Sequence, residues 1–428
     1  MISANAKYWI WLSLALGWNT PKIKKILESY HDVTAFYNAG EHEWRLCGFL
    51  HSDDINRLNT VPLTKADEVL DRCRQLKYSV LAIDDDSYPM SLYNIYAPPA
   101  VIYIDGKLPD LDNRLSIGIV GTRRATRYGI ANSYKIAYSL SKYEVTIVSG
   151  GALGVDCASH RGSLAANGVT ICVRGCGINS RYLPDNAMMR KAITSRGAVI
   201  SEYPPDEEPR NYYFPARNRI IAALSDGLLV IEAGKKSGSL ITANLALEMG
   251  KELFALLGNN SPQNAGSNLR IKEGTAIPIT DFMDILAAFD RLEVEPKDID
   301  LDDISMADIL AVPVKGKSSP SVYDLIDESN NTIAAEHEPV PKETTKSKSS
   351  AQVTKRKNST SVVSKSKLNV TLRGESKLVY DYLTDEPVHI DKLAADLNLP
   401  VRQALSTLTF LEMNELVRSL PGRKFVLY

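Results

Sequence analysis

Two arginines, Arg217 and Arg219, stand in the segment Phe214-Pro-Ala-Arg-Asn-Arg-Ile-Ile-Ala-Ala-Leu-Ser225. Residues 216–224 read as a helix, with Ile220, Ile221 and Leu224 on one apolar face and Pro215 just before or in its first turn. Both cations then fall in the first turn, where the helix dipole is positive and repels each by about 0.3–1 kcal/mol. Cations belong at that end when an anion sits between the guanidinium groups and the helix N-terminus. Ion pairs with acids on neighbouring loops are the alternative.

The elements that must position these groups follow from the pattern around them. Continuous apolar strands are expected at Ser116–Val120, Val145–Ser149, Val169–Val173, Ala198–Ser201, Gly227–Glu232, Glu252–Leu257 and Ala276–Ile279. Helical stretches lie between them. Strands without polar alternation, separated by helices, imply a parallel sheet covered on both faces. The fold class is α/β, a doubly wound, Rossmann-like sheet spanning 115–292. In such a sheet ligands bind at the carboxyl ends of the strands. Those ends here are glycine-rich turns: Gly121-Thr-Arg-Arg-Ala-Thr-Arg-Tyr128, Ser149-Gly-Gly-Ala-Leu-Gly-Val-Asp156, Arg174-Gly-Cys-Gly177 and Glu232-Ala-Gly-Lys-Lys-Ser-Gly-Ser239. Turns of this kind expose backbone amides at helix starts, which is what phosphate binding requires. Three places put cations beside a helix start: Arg123/Arg124/Arg127, Arg217/Arg219 and Lys235/Lys236. Asp156, Glu202 and Glu232 can neutralise part of them. The balance favours a phosphate-rich ligand.

Other chemistries fail on their own motifs. The first turn, Gly118-Ile-Val-Gly-Thr-Arg123, is not a dinucleotide fingerprint, and no acid ends the second strand. There is no P-loop and no Ser/His/Asp order. His160, the one histidine inside the α/β domain, reads as a helix-surface or packing residue. No cofactor, metal or catalytic residue is expected. Composition is that of an ordinary globular protein: 428 residues, 44% apolar, 24% charged, formal net charge −1. Nothing global therefore points to nucleic acid, although local segregation of charge still can. The five cysteines, without CxxC pairing, read as reduced thiols. The apolar run Tyr8–Leu16 is too short to span a bilayer and has no basic flank, so a cytoplasmic protein without membrane contact is expected.

The α/β domain has company. Residues 1–70 read as a small helical domain with a helical hairpin turning at Gly17-Trp18-Asn19-Thr20-Pro21, and 71–114 as a connecting module. Residues 293–370, acidic at first and then rich in Ser, Thr and Lys (Lys346, Lys348, Lys355, Arg356, Lys357, Lys365, Lys367), read as a flexible linker. Residues 371–428 read as three helices and a hairpin, the layout of a winged helix. Its third helix carries one cation, Arg402, in its first turns, so a protein partner suits it as well as DNA. The Arg423/Lys424 wing argues for DNA.

Gly121-Thr-Arg123, Ser149–Asp156, Ser201-Glu-Tyr-Pro204, Phe214–Ala222 and Ser237-Gly-Ser-Leu-Ile-Thr-Ala243, in this order, resemble the motifs of the DNA-processing protein A (DprA/Smf) family. The resemblance covers 80–290 strongly, the helical start weakly and the winged helix moderately. It implies a protein of natural transformation that binds single-stranded DNA, protects incoming strands, assists RecA loading and forms a homodimer through the α/β domain. It places the DNA pocket on Arg123, Arg124, Ser149, Gly150, Gly151, Phe214, Arg217, Asn218, Arg219, Lys235, Lys236, Ser237, Gly238 and Ser239. Physically, the cations and amides would meet successive phosphates. Phe214, or Tyr212 and Tyr213, would stack bases for about 1–3 kcal/mol each; packing of loop onto sheet is the other reading of these rings. Four cations on four phosphates predict a slope of log K against log salt near −3, at about 0.7 per contact. Replacing Arg217 and Arg219 together by alanine is expected to weaken binding and spare the fold. Nucleotide phosphoribohydrolases on similar folds carry P-G-G-x-G-T-x-x-E; here Thr242 stands where their glutamate would be, which disfavours hydrolysis. A nucleotide-sensing module is a third reading.

Overall fold

The computed structural model describes residues 2–289 except 31, and within the C-terminal part 375–384, 386–397, 399, 404, 407–408, 411–412, 416–420 and 424–427. The expected linker lies outside these residues, as do Arg402 and Arg423. Two compact units divide the chain, Met1–Val340 and Pro341–Tyr428.

The first unit begins with five helices: α1 (Ala6–Leu16), α2 (Lys22–Tyr30), α3 (Val33–Leu46), α4 (Ser52–Thr60) and α5 (Thr64–Leu76). Helix α1 buries Trp9, Ile10, Trp11 and Leu12 in succession, so it is apolar on every side and sits inside the unit. Next come β1 (Ser79–Ala82), the short α6 (Met90–Tyr93) and β2 (Val101–Gly106). The alternating part follows: β3 (Ser116–Val120), α7 (Arg127–Lys142), β4 (Thr146–Ser149), α8 (Val155–Ala165), β5 (Thr170–Val173), α9 (Ala187–Thr194), β6 (Ala198–Ser201), α10 (Tyr213–Ala223), β7 (Gly227–Val230), α11 (Gly238–Glu248), β8 (Glu252–Leu256), α12 (Ala265–Lys272), β9 (Ile277–Ile279) and α13 (Phe282–Ala288). Strands β3 to β7 are buried at every position, the signature of a sheet covered on both faces.

All nine strands form one sheet in the order β1-β2-β6-β5-β4-β3-β7-β8-β9. From β6 to β9 every pairing is parallel, as the apolar runs predict. Strand β2 pairs antiparallel with β6, and β1 antiparallel with β2. The sheet is therefore mixed: the stretch expected to connect two domains supplies two of its strands. Helices α1–α5 share one apolar core with β1, β2 and half of the sheet. The hairpin turn is bound in as well, since the Trp18 indole lies edge-on to Tyr203 and Tyr213, with centroids at 5.2 and 5.6 Å.

The strand order fixes where a ligand crevice belongs. The chain builds β3, β4, β5 and β6 outward in one direction, then returns through α10 to lay β7 against the other side of β3. The reversal opens a gap beyond the carboxyl ends of β3 and β7, and α10 is the crossover that borders it.

In the second unit, helices Glu375–Tyr382 and Ile390–Asp396 pack with the helical residues Ala404, Leu408 and Leu411 onto a three-stranded antiparallel sheet. Its strands are Val388–His389, Lys424–Leu427 and Val417–Leu420, in that spatial order. This is the expected winged helix.

Candidate functional site

An open groove of about 520 Å³ occupies the switch point. Its floor is Val120–Thr122 after β3, one wall is α10, and the far rim is Ser237–Ser239 at the start of α11. Arg123, Arg124, Phe214, Arg217, Asn218, Ser237, Gly238 and Ser239 all line it, so most of the expected site is one place. Gly150 and Gly151 line a narrow, nearly filled recess, which shares Arg123, Ala152, Phe214 and Arg217 with the groove. Both glycines are required there. A Cβ on Gly150 would come within 2.7 Å of the Arg217 guanidinium, and Gly151 has φ +69°.

Helix α10 starts at Tyr213, three residues before the predicted start, with Pro215 as its third residue. Arg217 and Arg219 thus stand in its second turn, and the opposed dipole weakens accordingly. Their fates differ. Arg217 is 5% exposed; its Nη1 donates to the Gly150 carbonyl at 2.9 Å and to the Val173 carbonyl, and its Nε to Asn218 Oδ1 at 3.2 Å. Burial pushes its guanidinium down, while nearby Asp156 opposes that shift. Arg219 turns the other way. Its two Nη atoms fork onto both oxygens of Glu202 at 2.9 and 2.6 Å, and its Nε donates to the Ala97 carbonyl at 3.0 Å. The ion-pair reading holds for Arg219, whose cation belongs to the fold.

Three more expected residues are placed outside the lining of groove and recess. Ser149 is wholly buried and its Oγ donates to the Ile119 carbonyl at 2.7 Å, tying β4 to β3. Lys235 and Lys236 are exposed on the loop before α11, next to the rim. Among the aromatics, Phe214 is half-buried in the groove with the Arg123 guanidinium 5.7 Å from its ring centre and Tyr182 at 5.0 Å. Tyr213 is 1% exposed and stacked on Tyr203 at 4.0 Å, so it is packing. Tyr212 is 62% exposed.

The acids also divide. Glu202 belongs to Arg219. Glu232 accepts from the backbone N and Oγ1 of Thr126, at 2.9 and 2.5 Å, at the start of α7. Asp156 lines the groove; it accepts from the Ala152 N–H at 3.3 Å, and burial raises its carboxyl against the pull of Arg217 and Arg123. His160 is fully buried, with Nδ1 on Thr170 Oγ1 at 2.7 Å, a packing residue as expected. Burial, and after it the charge of Arg217, pushes its pKa down to about 3, so it is neutral near pH 7. Sequence reasoning missed Asn211 in the groove wall and Asn186, whose Nδ2 donates to the Gly151 and Ala152 carbonyls at 3.0 and 3.3 Å. Neither residue lies in a glycine-rich or basic stretch that would have marked it.

Fold and site define a class: a Rossmann-like domain with an arginine-lined groove at its switch point, joined to a winged helix. The family model of DNA recombination-mediator protein A matches residues 79–290, and that of the DprA winged helix domain matches residues 366–423. Protein Smf of Synechocystis sp. is 34% identical over 302 residues, 67% of this chain and 73% of that one. DNA processing protein DprA of Bacillus subtilis is 36% identical over 231 residues, 54% of this chain and 78% of its own. The X-ray structure of DNA processing protein A from Streptococcus pneumoniae matches with a TM-score of 0.59 at 32% identity, over 66% of this chain and 97% of that one. The chain belongs to the DprA/Smf family of DNA-processing proteins. No helix among the described residues is long and apolar enough to cross a membrane.

Proposed function

We propose that this chain binds single-stranded DNA without sequence preference in the groove at the switch point, as a DNA-processing protein of natural transformation and not as an enzyme. The observation that carries this reading is the lining itself. Arg123, Arg124 and Arg217 stand beside the half-buried ring of Phe214, at a helix start whose Ser237 caps α11. Cations along a groove follow a phosphate backbone, and an aromatic face accepts any base. Thr242 lines the groove at the position where related hydrolases carry glutamate, which supports binding over turnover. Assistance to RecA, a homodimer through the α/β domain and a cytoplasmic location remain part of the proposal on family grounds.

The test is a titration of a poly-dT strand, a duplex and a mononucleotide over a salt series. The strand is expected to bind tighter than the duplex and far tighter than the mononucleotide. The three groove arginines Arg123, Arg124 and Arg217 on three phosphates give a slope near −2, at about 0.7 each, in place of the −3 that counted Arg123, Arg217, Arg219 and Lys235. Equal affinity for strand and mononucleotide would sink the strand reading in favour of a nucleotide sensor, and release of a hydrolysed nucleotide would favour an enzyme.

A further inference from the structure

Charge is segregated along the carboxyl edge of the sheet, and the groove takes up only part of it. Strands β3, β7 and β8 are neighbours, so the loops that leave their carboxyl ends stand side by side. Residues 121–128, 232–239 and 257–264 hold five cations, Arg123, Arg124, Arg127, Lys235 and Lys236, and one acid, Glu232. That acid is 1% exposed and committed to Thr126. The three loops therefore carry a formal charge of +4, five cations less one acid, in a chain whose net charge is −1. Arg123 and Arg124 line the groove, whereas Arg127, Lys235 and Lys236 are exposed outside its lining. Cations gathered on one edge repel one another and raise the local potential that draws an anion. The same loops present an aromatic ring. Tyr128 is 48% exposed, and its hydroxyl donates to the Leu257 carbonyl at 2.7 Å, which ties the first turn of α7 to the end of β8. It follows Arg127 directly and stands four residues past Arg124. A ring fixed at its tip and half open to water is pre-organised, because stacking on it orders little more of the side chain.

We propose that Tyr128 is a second base platform. A strand that fills the groove runs on past Arg124, stacks a further base on Tyr128, and lays its next phosphates beside Arg127 and the Lys235–Lys236 pair. The inference rests on the strand-binding reading above and carries it from the groove to the outer edge of the sheet. Cations for the backbone and a ring for the base are the two contacts that a sequence-independent single-strand site combines. The exposed lysines contribute mainly to the salt dependence, and the ring to affinity at any salt.

The test uses the full chain and two dT strands, of roughly four and roughly twelve nucleotides, within the range of site sizes known for single-strand folds. The groove alone is expected to hold the short strand, and the long one to reach Tyr128 as well. Its slope of log K against log salt should be steeper by about 0.7 for each outer cation that meets a phosphate. Tyr128→Ala is expected to weaken the long strand about tenfold and the short one by no more than about twofold. Tyr128→Phe keeps the ring and should keep most of the affinity, while Phe214→Ala should weaken both strands. A second arm needs no substitution: a photoreactive base moved along the long strand should crosslink to Tyr128 from one region of the strand, which also gives its polarity. Equal loss for both strands in Tyr128→Ala would make this tyrosine a support of the groove and overturn the platform. So would no loss for either, a salt slope independent of strand length, or crosslinks that reach Phe214 and never Tyr128. If neither strand binds the unaltered protein, the strand reading itself falls.

Discussion

Arg217 and Arg219 lie two residues apart on one helix, yet they serve opposite sides of it. The side of α10 that faces the antiparallel extension gives Arg219 a carboxylate fork and a carbonyl, and closes over all of it. The side that faces the switch point gives Arg217 two backbone carbonyls and the amide of Asn218, and leaves it lining two cavities. A guanidinium neutralised by a bidentate carboxylate is a structural part. One held by carbonyls, with the Asp156 carboxylate nearby but not hydrogen-bonded to it, is oriented without being locked in a fork. The difference separates the stability of the wall from its capacity to take an anion, and it can be tested from both sides.

The largest effect is expected on the structural side. Arg219→Ala leaves Glu202 buried and unpaired, and should cost about 3–5 kcal/mol of unfolding free energy in denaturant melts. Replacing Arg219 and Glu202 together by apolar residues of similar volume should recover most of that loss. The double alanine substitution at Arg217 and Arg219, expected from sequence to spare the fold, is therefore predicted to destabilise it by at least as much. An Arg219→Ala protein of unchanged stability would erase the distinction between the two sides.

The next effect lies beside Arg217. His160 is held neutral, so its folded pKa near 3 is below the ordinary value of 6.5. The unfolded chain takes up a proton below 6.5 that the folded one refuses until about 3. Stability is thus complete above pH 6.5 and falls as pH drops through that window, by about 2 kcal/mol between pH 6.5 and 5. His160→Asn should remove that part of the slope when unfolding free energy is measured against pH.

On the open side, Phe214→Ala should cost about 1–3 kcal/mol of strand affinity by fluorescence anisotropy while the melting curve barely moves. If affinity holds and stability falls, Phe214 is packing like Tyr213. The smallest effect is expected at the exposed pair before α11. Changing Lys235 and Lys236 to alanine should leave affinity at low salt within a few-fold. It should flatten the salt slope by no more than about 0.7 for each lysine that meets a phosphate.

The parallel half of the sheet is legible in the sequence because burial on both faces demands unbroken apolar runs. Ala198–Ser201 and Ser116–Val120 match the observed strands at both ends. The groove is legible for a related reason: strand order sends glycine-rich turns to one edge, and those turns carry the cations. The antiparallel extension is not. Strand β2 finds its partner in β6, about a hundred residues further along the chain, and brings β1 with it; no local pattern announces that pairing. Arg219 was misjudged for the same reason, since its partners are Glu202 and the Ala97 carbonyl, the latter 122 residues away. Arg174, quoted after β5 as part of a glycine-rich turn, proves to stand in the wall of the recess that Gly150 and Gly151 line.

The placement of Trp18 has a practical consequence. Its indole touches Tyr203 and Tyr213, and Tyr213 immediately precedes the groove ring Phe214. The other three tryptophans, Trp9, Trp11 and Trp44, are enclosed in the helical core at 0, 1 and 5% exposure. Intrinsic emission from this chain therefore contains one chromophore mounted on the wall of α10 and three that stand apart from it. With Trp18→Phe as the blank, that single fluorophore becomes a label-free optical gauge of what enters the groove.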